Sequence, residues 1–199
     1  MSRCEWAREM LPGNAQVLYM LGRAYDKAGD TRTLAVLGAA ADMGYAMALN
    51  HLAILYRDKE YGTDDRDRAQ DLFRRAAAAG NYVAQYNYAK FLVEFGNGSF
   101  DNTTAVENME EAAIADFSDA QLILARWYRD GSVAPQDSFA AEEFYEMAIE
   151  TGSETAAYEL ANMYRDGTGF AKDPVAYLDL LKLAASMGHK DARAELAYD

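Results

Sequence analysis

Two adjacent acid pairs, Asp64-Asp65 and Glu142-Glu143, two histidines, His51 and His189, and one cysteine, Cys4, are the side chains best suited to chemistry in this chain. Paired carboxylates suit metal binding or acid–base work, while His and Cys add metal ligation or a nucleophile. Each has a plainer origin. The acid pairs are expected at helix starts, where solvated carboxylates face the positive end of the helix dipole. The histidines stand 138 residues apart, which leaves little for a His-built metal centre, and each reads as a surface residue. Cys4 is alone, so no intrachain disulfide or multi-cysteine metal site is available, and it reads as a small buried residue. Met-Ser-Arg before it is no lipid-attachment motif. Gly96-Asn97-Gly98-Ser99 is glycine-rich, but no basic residue follows it, so a loop between helices explains it without a phosphate. The chain carries no GxSxG elbow, Walker loop or HExxH motif. The expectation is therefore a protein with no catalytic residues, no metal and no cofactor.

Composition narrows the class. The chain has 199 residues, with 19 Lys+Arg against 32 Asp+Glu, for a net charge of −13. Hydrophobic residues make up 51% and only 3 prolines occur, which is too apolar for disorder. The acidic field repels polyanions, so nucleic acid is not an expected partner. No apolar run is long enough for a membrane helix, so direct membrane insertion is not expected either. The opening MSRCEWAREM places charges where an export signal needs its apolar stretch. That favours the cytoplasm; a periplasmic or secreted setting requires a signal removed beforehand.

The elements that position these residues follow from an internal period. Ala48, Ala84, Ala120, Ala156 and Ala192 are spaced 36 apart, and so are Ala40, Ala76, Ala112, Ala148 and Ala184. Asp65, Asp101, Asp137 and Asp173 keep the same step. So do Gly44, Gly80, Gly152 and Gly188, with Asp116 where a further Gly belongs. Each unit reads as two helices. The first runs through Ala48/Leu52/Ala53/Tyr56, Ala84/Tyr88/Ala89/Leu92, Ala120/Leu124/Ala125/Tyr128 and Ala156/Leu160/Ala161/Tyr164, spacings that share one helical face. The second starts at the recurring Asp as N-cap, helped by Pro174 after Asp173, and ends at the recurring Gly.

The fold expected is all-α, a right-handed superhelical α/α solenoid of antiparallel helix pairs with a 36-residue repeat. A single domain over 1–199 divides into units at about 15–46, 47–82, 83–118, 119–154 and 155–190. Residues 2–12 read as the remnant second helix of a preceding unit, and 191–199 as the start of a further one. Val17-Leu21-Gly22-Tyr25 repeats the first-helix pattern with a loop about five residues shorter, around Gly29-Asp30. An array that begins and ends in mid-unit is expected of a segment from a longer protein, with self-association through its exposed ends.

The motif Leu124-Ala125 through Tyr128-Arg129-Asp130-Gly131, and its copy Leu160-Ala161 through Tyr164-Arg165-Asp166-Gly167, resembles the Sel1-like repeat family. The closing segments Ala76-Ala77-Ala78-Ala79-Gly80 and Ala184-Ala185-Ser186-Met187-Gly188 share the likeness, which extends over essentially the whole chain. Tetratricopeptide repeats are related, but their unit is about 34 residues. The resemblance implies a non-catalytic scaffold or adaptor for protein partners, in bacteria often within regulatory or cell-envelope complexes. A cysteine-rich branch of the family is linked to β-lactam chemistry; its cysteine pairs are missing here, so that activity is not carried over. The alternative is an envelope glycan-binding module or hydrolase, in which Tyr and Asn would bind sugar.

If the Leu-Ala pairs face inward, three registers of the first helices line a concave groove. Two before each Leu (or Tyr88) stand Tyr19, Asn50, Tyr86, Leu122 and Tyr158. Two after stand Arg23, Ile54, Lys90, Arg126 and Asn162; five after stand Asp26, Arg57, Val93, Arg129 and Arg165. The expected partner-binding residues are Tyr19, Arg23, Asn50, Arg57, Tyr86, Lys90, Arg126, Arg129, Tyr158, Asn162 and Arg165. Six Lys/Arg in a molecule of charge −13 suggest a basic face for an anionic peptide or protein segment. Against this, Asp58, Asp130 and Asp166 follow Arg57, Arg129 and Arg165, and acids there or in the adjacent unit can neutralise the arginines. The tyrosines can likewise serve as packing between units.

Overall fold

The computed structural model describes residues 13–62, 65–96 and 98–197, with the backbone alone at 99 and 100. The expected remnant helix at 2–12, with Cys4 in it, and Asp64 and Asn97 lie outside the described residues. Among the described residues there are eleven α-helices and no strand, so the protein is all-α. The chain divides into two compact units, 1–94 and 95–199.

The first unit holds α1 (Ala15–Lys27), α2 (Thr33–Asp42), α3 (Ala46–Arg57), α4 (Arg66–Ala78) and nearly all of α5 (Tyr82–Phe95). The second holds α6 (Ser99–Ile114), α7 (Ser118–Asp130), α8 (Ser138–Glu150), α9 (Glu154–Asp166), α10 (Pro174–Met187) and α11 (Lys190–Leu196). In each unit the helices form successive pairs, α1 with α2, α3 with α4, α7 with α8 and α9 with α10. Odd-numbered helices are the first members of their repeats and even-numbered helices the second.

Alanine makes this stacking possible. Ala40, Ala76, Ala112, Ala148 and Ala184 on the second helices are all 0% exposed, as are Ala48, Ala84, Ala120, Ala156 and Ala192 on the first. A methyl group at the contact lets two helix axes approach toward the near end of the usual ~8–10 Å range. Leu18, Leu92, Leu124, Leu160, Phe73 and Tyr145 fill the spaces between these close contacts and are fully buried. Each such aliphatic or aromatic side chain contributes about 1.5–3 kcal/mol of burial. In α1 the small position is Gly22 rather than Ala, and a Cβ there would stand 2.4 Å from Leu37 Cδ2 on α2. The α1–α2 pair is thus closed beyond what alanine allows.

The capping carboxylates act as the residue types dictate. Asp65 Oδ1 accepts from the Arg68 amide at 2.9 Å, Asp137 Oδ1 from Phe139 and Ala140, and Asp173 Oδ1 from Val175 and Ala176. Asp101 differs. The first helix before it continues to Phe95, where the later repeats stop at Gly131 and Gly167, and the next helix begins at Ser99 with Gly98 as its N-cap. Asp101 then sits inside the first turn, not at the cap. Asp116, in the glycine register, adopts the left-handed conformation at φ 58, as Gly44 and Gly80 do at 79 and 74.

Candidate functional site

The exposed edges of the first helices meet their neighbours through polar side chains. In the first unit, Tyr19 is 9% exposed, its ring 5.3 Å from Tyr45 and edge-on to His51 at 6.2 Å. Burial pushes the Tyr19 hydroxyl up, against the nearby charge of Arg23. His51 Nε2 lies 3.0 Å from Asp26 Oδ2, joining α1 to α3. Tyr61 donates to Asp26 Oδ1 at 3.0 Å from a turn in which it takes a φ of 53. A cavity of about 440 Å³ opens beside this pair, lined by Met20, Arg23, Asp26, Lys27 and His51. One repeat on, the Asn87 amide donates to Asn50 Oδ1 at 3.1 Å, joining α5 to α3. Arg23 lies over the Tyr19 ring at 5.7 Å and Lys90 over Tyr86 at 5.1 Å. Arg57 turns back on Asp58, with Nε to Oδ1 at 2.6 Å and Nη2 to Oδ2 at 3.0 Å.

In the second unit one carboxylate gathers three partners. Arg126 Nε donates to both oxygens of Glu159, at 3.1 and 3.0 Å, and its Nη2 donates to Oε1. Arg129 Nη1 donates to Glu159 Oε2 at 2.9 Å, and the buried Tyr145 hydroxyl donates to the same oxygen at 2.9 Å. Burial alone would raise the Glu159 carboxyl, but the hydrogen bonds from Arg126 and Tyr145 and the two arginine charges outweigh it and hold it low. Tyr145 is pushed up, first by desolvation and then by the Glu159 charge. Arg129 also grips Asp130 at 2.7 and 3.0 Å. Arg165 repeats both contacts, with Asp166 at 2.9 and 3.3 Å and Glu195 at 3.1 Å. Tyr158 stacks on His189 at 4.2 Å, and Asn162 Oδ1 is buried without a hydrogen-bond partner among the described residues.

The structure therefore brings the expected groove residues onto adjacent first helices within each unit, yet most arginines are already paired. Arg57, Arg129 and Arg165 are neutralised by the acids that follow them, and Arg126, Arg129 and Arg165 by the next repeat. The histidines are not bare surface residues: His51 is bound to Asp26, and His189 caps α11 by accepting from the Ala192 amide at 3.3 Å. Among the described residues no group of three or more His, Cys, Asp or Glu could hold a metal ion. No helix among them is long and apolar enough to cross a membrane.

The register that the three groove registers omit is the one immediately before each Leu. It reads His51, Asn87, Ile123, Glu159 and Glu195 at steps of 36, and its polar members supply the acceptors and donors just described. That signal was present in the period. Tyr61 belongs to no register and carried none.

The net charge divides by unit. Residues 1–94 contain twelve Lys/Arg and twelve Asp/Glu, whereas 95–199 contain seven against twenty. The whole of the −13 thus sits in the second unit.

Paired helices with buried alanine ladders and cross-tied first helices define an all-α helical-repeat protein. The chain belongs to the Sel1 repeat family: four repeats match at 46–81, 83–117, 118–153 and 155–189. Proteins of this family are generally non-catalytic scaffolds for protein–protein interaction. Among solved structures, c5321, a protective antigen of uropathogenic Escherichia coli with the same fold, matches at 23% identity and a TM-score of 0.74, over 92% of this chain and 40% of its own. This chain thus spans well under half of that protein. A Sel1 repeat protein from Oxalobacter formigenes matches at 24% identity and a TM-score of 0.73, over 90% of this chain and 73% of its own. Pseudomonas aeruginosa 5086 matches at 20% identity and 0.53, over 94% and 72%. These likenesses establish the fold. No match was found among curated proteins.

Proposed function

We propose that this chain is a non-catalytic adaptor that holds a protein or peptide segment against its first-helix faces, within a bacterial regulatory or cell-envelope complex. The observation that carries this reading is the cross-tying of neighbouring first helices by their own side chains. Such a face is ordered before a partner arrives, so little entropy is lost on docking. In the first unit the surface comprises Tyr19, Arg23, Asn50, Arg57, Tyr86 and Lys90. Arg23 and Lys90 there lie over tyrosine rings and make no ion pair among the described residues. With no net charge behind them, they suit an anionic segment. In the second unit Arg126, Arg129, Tyr158, Asn162 and Arg165 offer the N–H groups and ring faces that remain after pairing. The bacterial origin of the similar structures, one a protective antigen, supports the setting.

The test is site-directed photocrosslinking in cells of the source organism. A photoreactive residue replacing Tyr86 or Tyr158 should capture a protein that the same residue at Arg74 on α4 does not. Arg23→Glu combined with Lys90→Glu should weaken that partner about tenfold or more, with melting unchanged. Undiminished affinity in this double variant would sink the reading. Arg126→Glu is an unsuitable probe, because it sets a second carboxylate against Glu159. Turnover on a hydrolase panel, or retention on a glycan array without a protein partner, would favour the glycan-binding or hydrolase alternative.

A further inference from the structure

Two consecutive repeats of the second unit share one loop framework and fill it differently. Gly131 and Gly167 end α7 and α9 in the left-handed conformation, at φ 66 and 74. Loops of equal length then lead to Asp137 and Asp173, whose amides donate back to the carbonyls of Tyr128 and Tyr164, at 2.9 and 3.1 Å. The residue three after the glycine is Phe170 in one loop and Ala134 in the other. The Phe170 ring stacks on Tyr164, with centroids 5.3 Å apart and planes at 20°, and meets Phe139 edge-on at 5.8 Å. One repeat earlier the positions of Phe139 and Phe170 are held by Thr103 and Ala134. Both rings are missing there, Tyr128 stacks instead on Phe144 of α8 with centroids 5.7 Å apart and planes at 3°, and a cavity of about 480 Å³ opens between α6 and the α7–α8 loop. Thr103, Val106, Glu107, Tyr128, Ala134 and Pro135 are among its walls.

That volume lies within the ~300–1,000 Å³ typical of ligand pockets. The second observation is electrostatic. Glu107 lines the cavity and makes no ion pair among the described residues, and α6 carries Asp101, Glu107, Glu110 and Glu111 with no Lys or Arg. The unit around it has seven basic residues against twenty acidic ones, so a cation is drawn toward this wall.

We propose that this cavity is a binding pocket for an aromatic side chain of a partner peptide with Lys or Arg beside it. The ring takes the space that Phe170 fills one repeat on and packs against Tyr128, while the adjacent cation pairs with Glu107. Aromatic rings meet favourably at the separation seen for Phe170 and Tyr164, which is the guide to how a partner's ring would meet Tyr128. The pocket uses α6, Tyr128 at the end of α7 and the loop that follows, none of them among the proposed groove residues, and it stands or falls independently of the adaptor reading.

The test uses the dipeptide amide Phe-Arg-NH2 as probe, titrated into the isotopically labelled protein and followed by amide chemical shifts. Saturable shifts should centre on Val106, Glu107, Tyr128 and Ala134, with a Kd on the order of 1 mM. Ala-Arg-NH2 should bind roughly tenfold more weakly, and Glu107→Gln should weaken Phe-Arg-NH2 about fivefold while leaving N-acetyl-phenylalanine amide unaffected. Ala134→Phe should abolish binding and raise the melting temperature. Should that variant not fold, Thr103→Phe closes the cavity from its exposed rim and should abolish binding in turn. Shifts that do not saturate, or binding undiminished in a folded cavity-filling variant, would overturn the proposal.

Discussion

Arg129 and Glu159 lie thirty residues apart in sequence and meet at 2.9 Å, and Arg165 and Glu195 repeat the contact one unit later at 3.1 Å. The residue five after the Leu of one first helix bonds the residue one before the Leu of the next. Asp26 and His51 occupy the same two positions in the first unit, with acid and base exchanged. The same joint is thus built from different chemistry at these three places, while between α3 and α5 Asn87 bonds Asn50 and Arg57 turns to Asp58.

Removing the acid from this joint leaves two guanidinium groups facing each other. Glu159→Gln should destabilise the protein by about 1–3 kcal/mol at neutral pH, less than for a fully buried pair because Arg126 is partly exposed. The Glu159 carboxyl is held below its ordinary value of 4.5, so its contribution is present above that pH and is lost as acid protonates it below. Urea melts of both proteins from neutral pH downward should therefore converge in the acid range.

Tyr128 titrates in the opposite direction. Burial first, and then its hydrogen bond to Glu110 at 2.9 Å, push its hydroxyl from 10.0 up to about 12. The folded state keeps the neutral phenol, so this stability is complete below pH 10.0 and falls away between there and about 12. Tyr128→Phe should lessen the stability loss across that window, the remainder coming from Tyr164, which is also pushed up to about 12, as followed by circular dichroism.

Asp116 occupies a left-handed position that glycine fills in the equivalent turns. Its side chain is exposed, so only backbone strain is at stake. Asp116→Gly should raise stability by about 0.5–1 kcal/mol. The urea midpoint should move with an unchanged slope.

Gly22 faces the opposite constraint. A methyl group there would stand 2.4 Å from Cδ2 and 2.7 Å from Cγ of Leu37, which is fully buried and must shift within the core to admit it. Gly22→Ala should cost about 1–3 kcal/mol despite its better helix propensity. Gly22→Ala with Leu37→Val should recover part of the loss, a coupling that a thermodynamic cycle measures.

The amino-acid order alone determined the repeat, the helix pairing and the family, because these rest on local chemistry. Alanine at two fixed registers permits close helices, Asp65, Asp137 and Asp173 cap, and glycine turns left-handed, and each effect acts within a few residues. The tyrosines and arginines of the groove were also legible as positions on the first helices. What they bond was not, because Arg126 and Arg129 could reach Asp130, Glu159 or solvent, and only the stagger of neighbouring helices selects among these. Tyr61 reaching Asp26 from a left-handed turn has no periodic signature at all. The cavity between α6 and the α7–α8 loop is likewise a tertiary property: Thr103 and Ala134 are distant in sequence, and only the packing brings both into one wall.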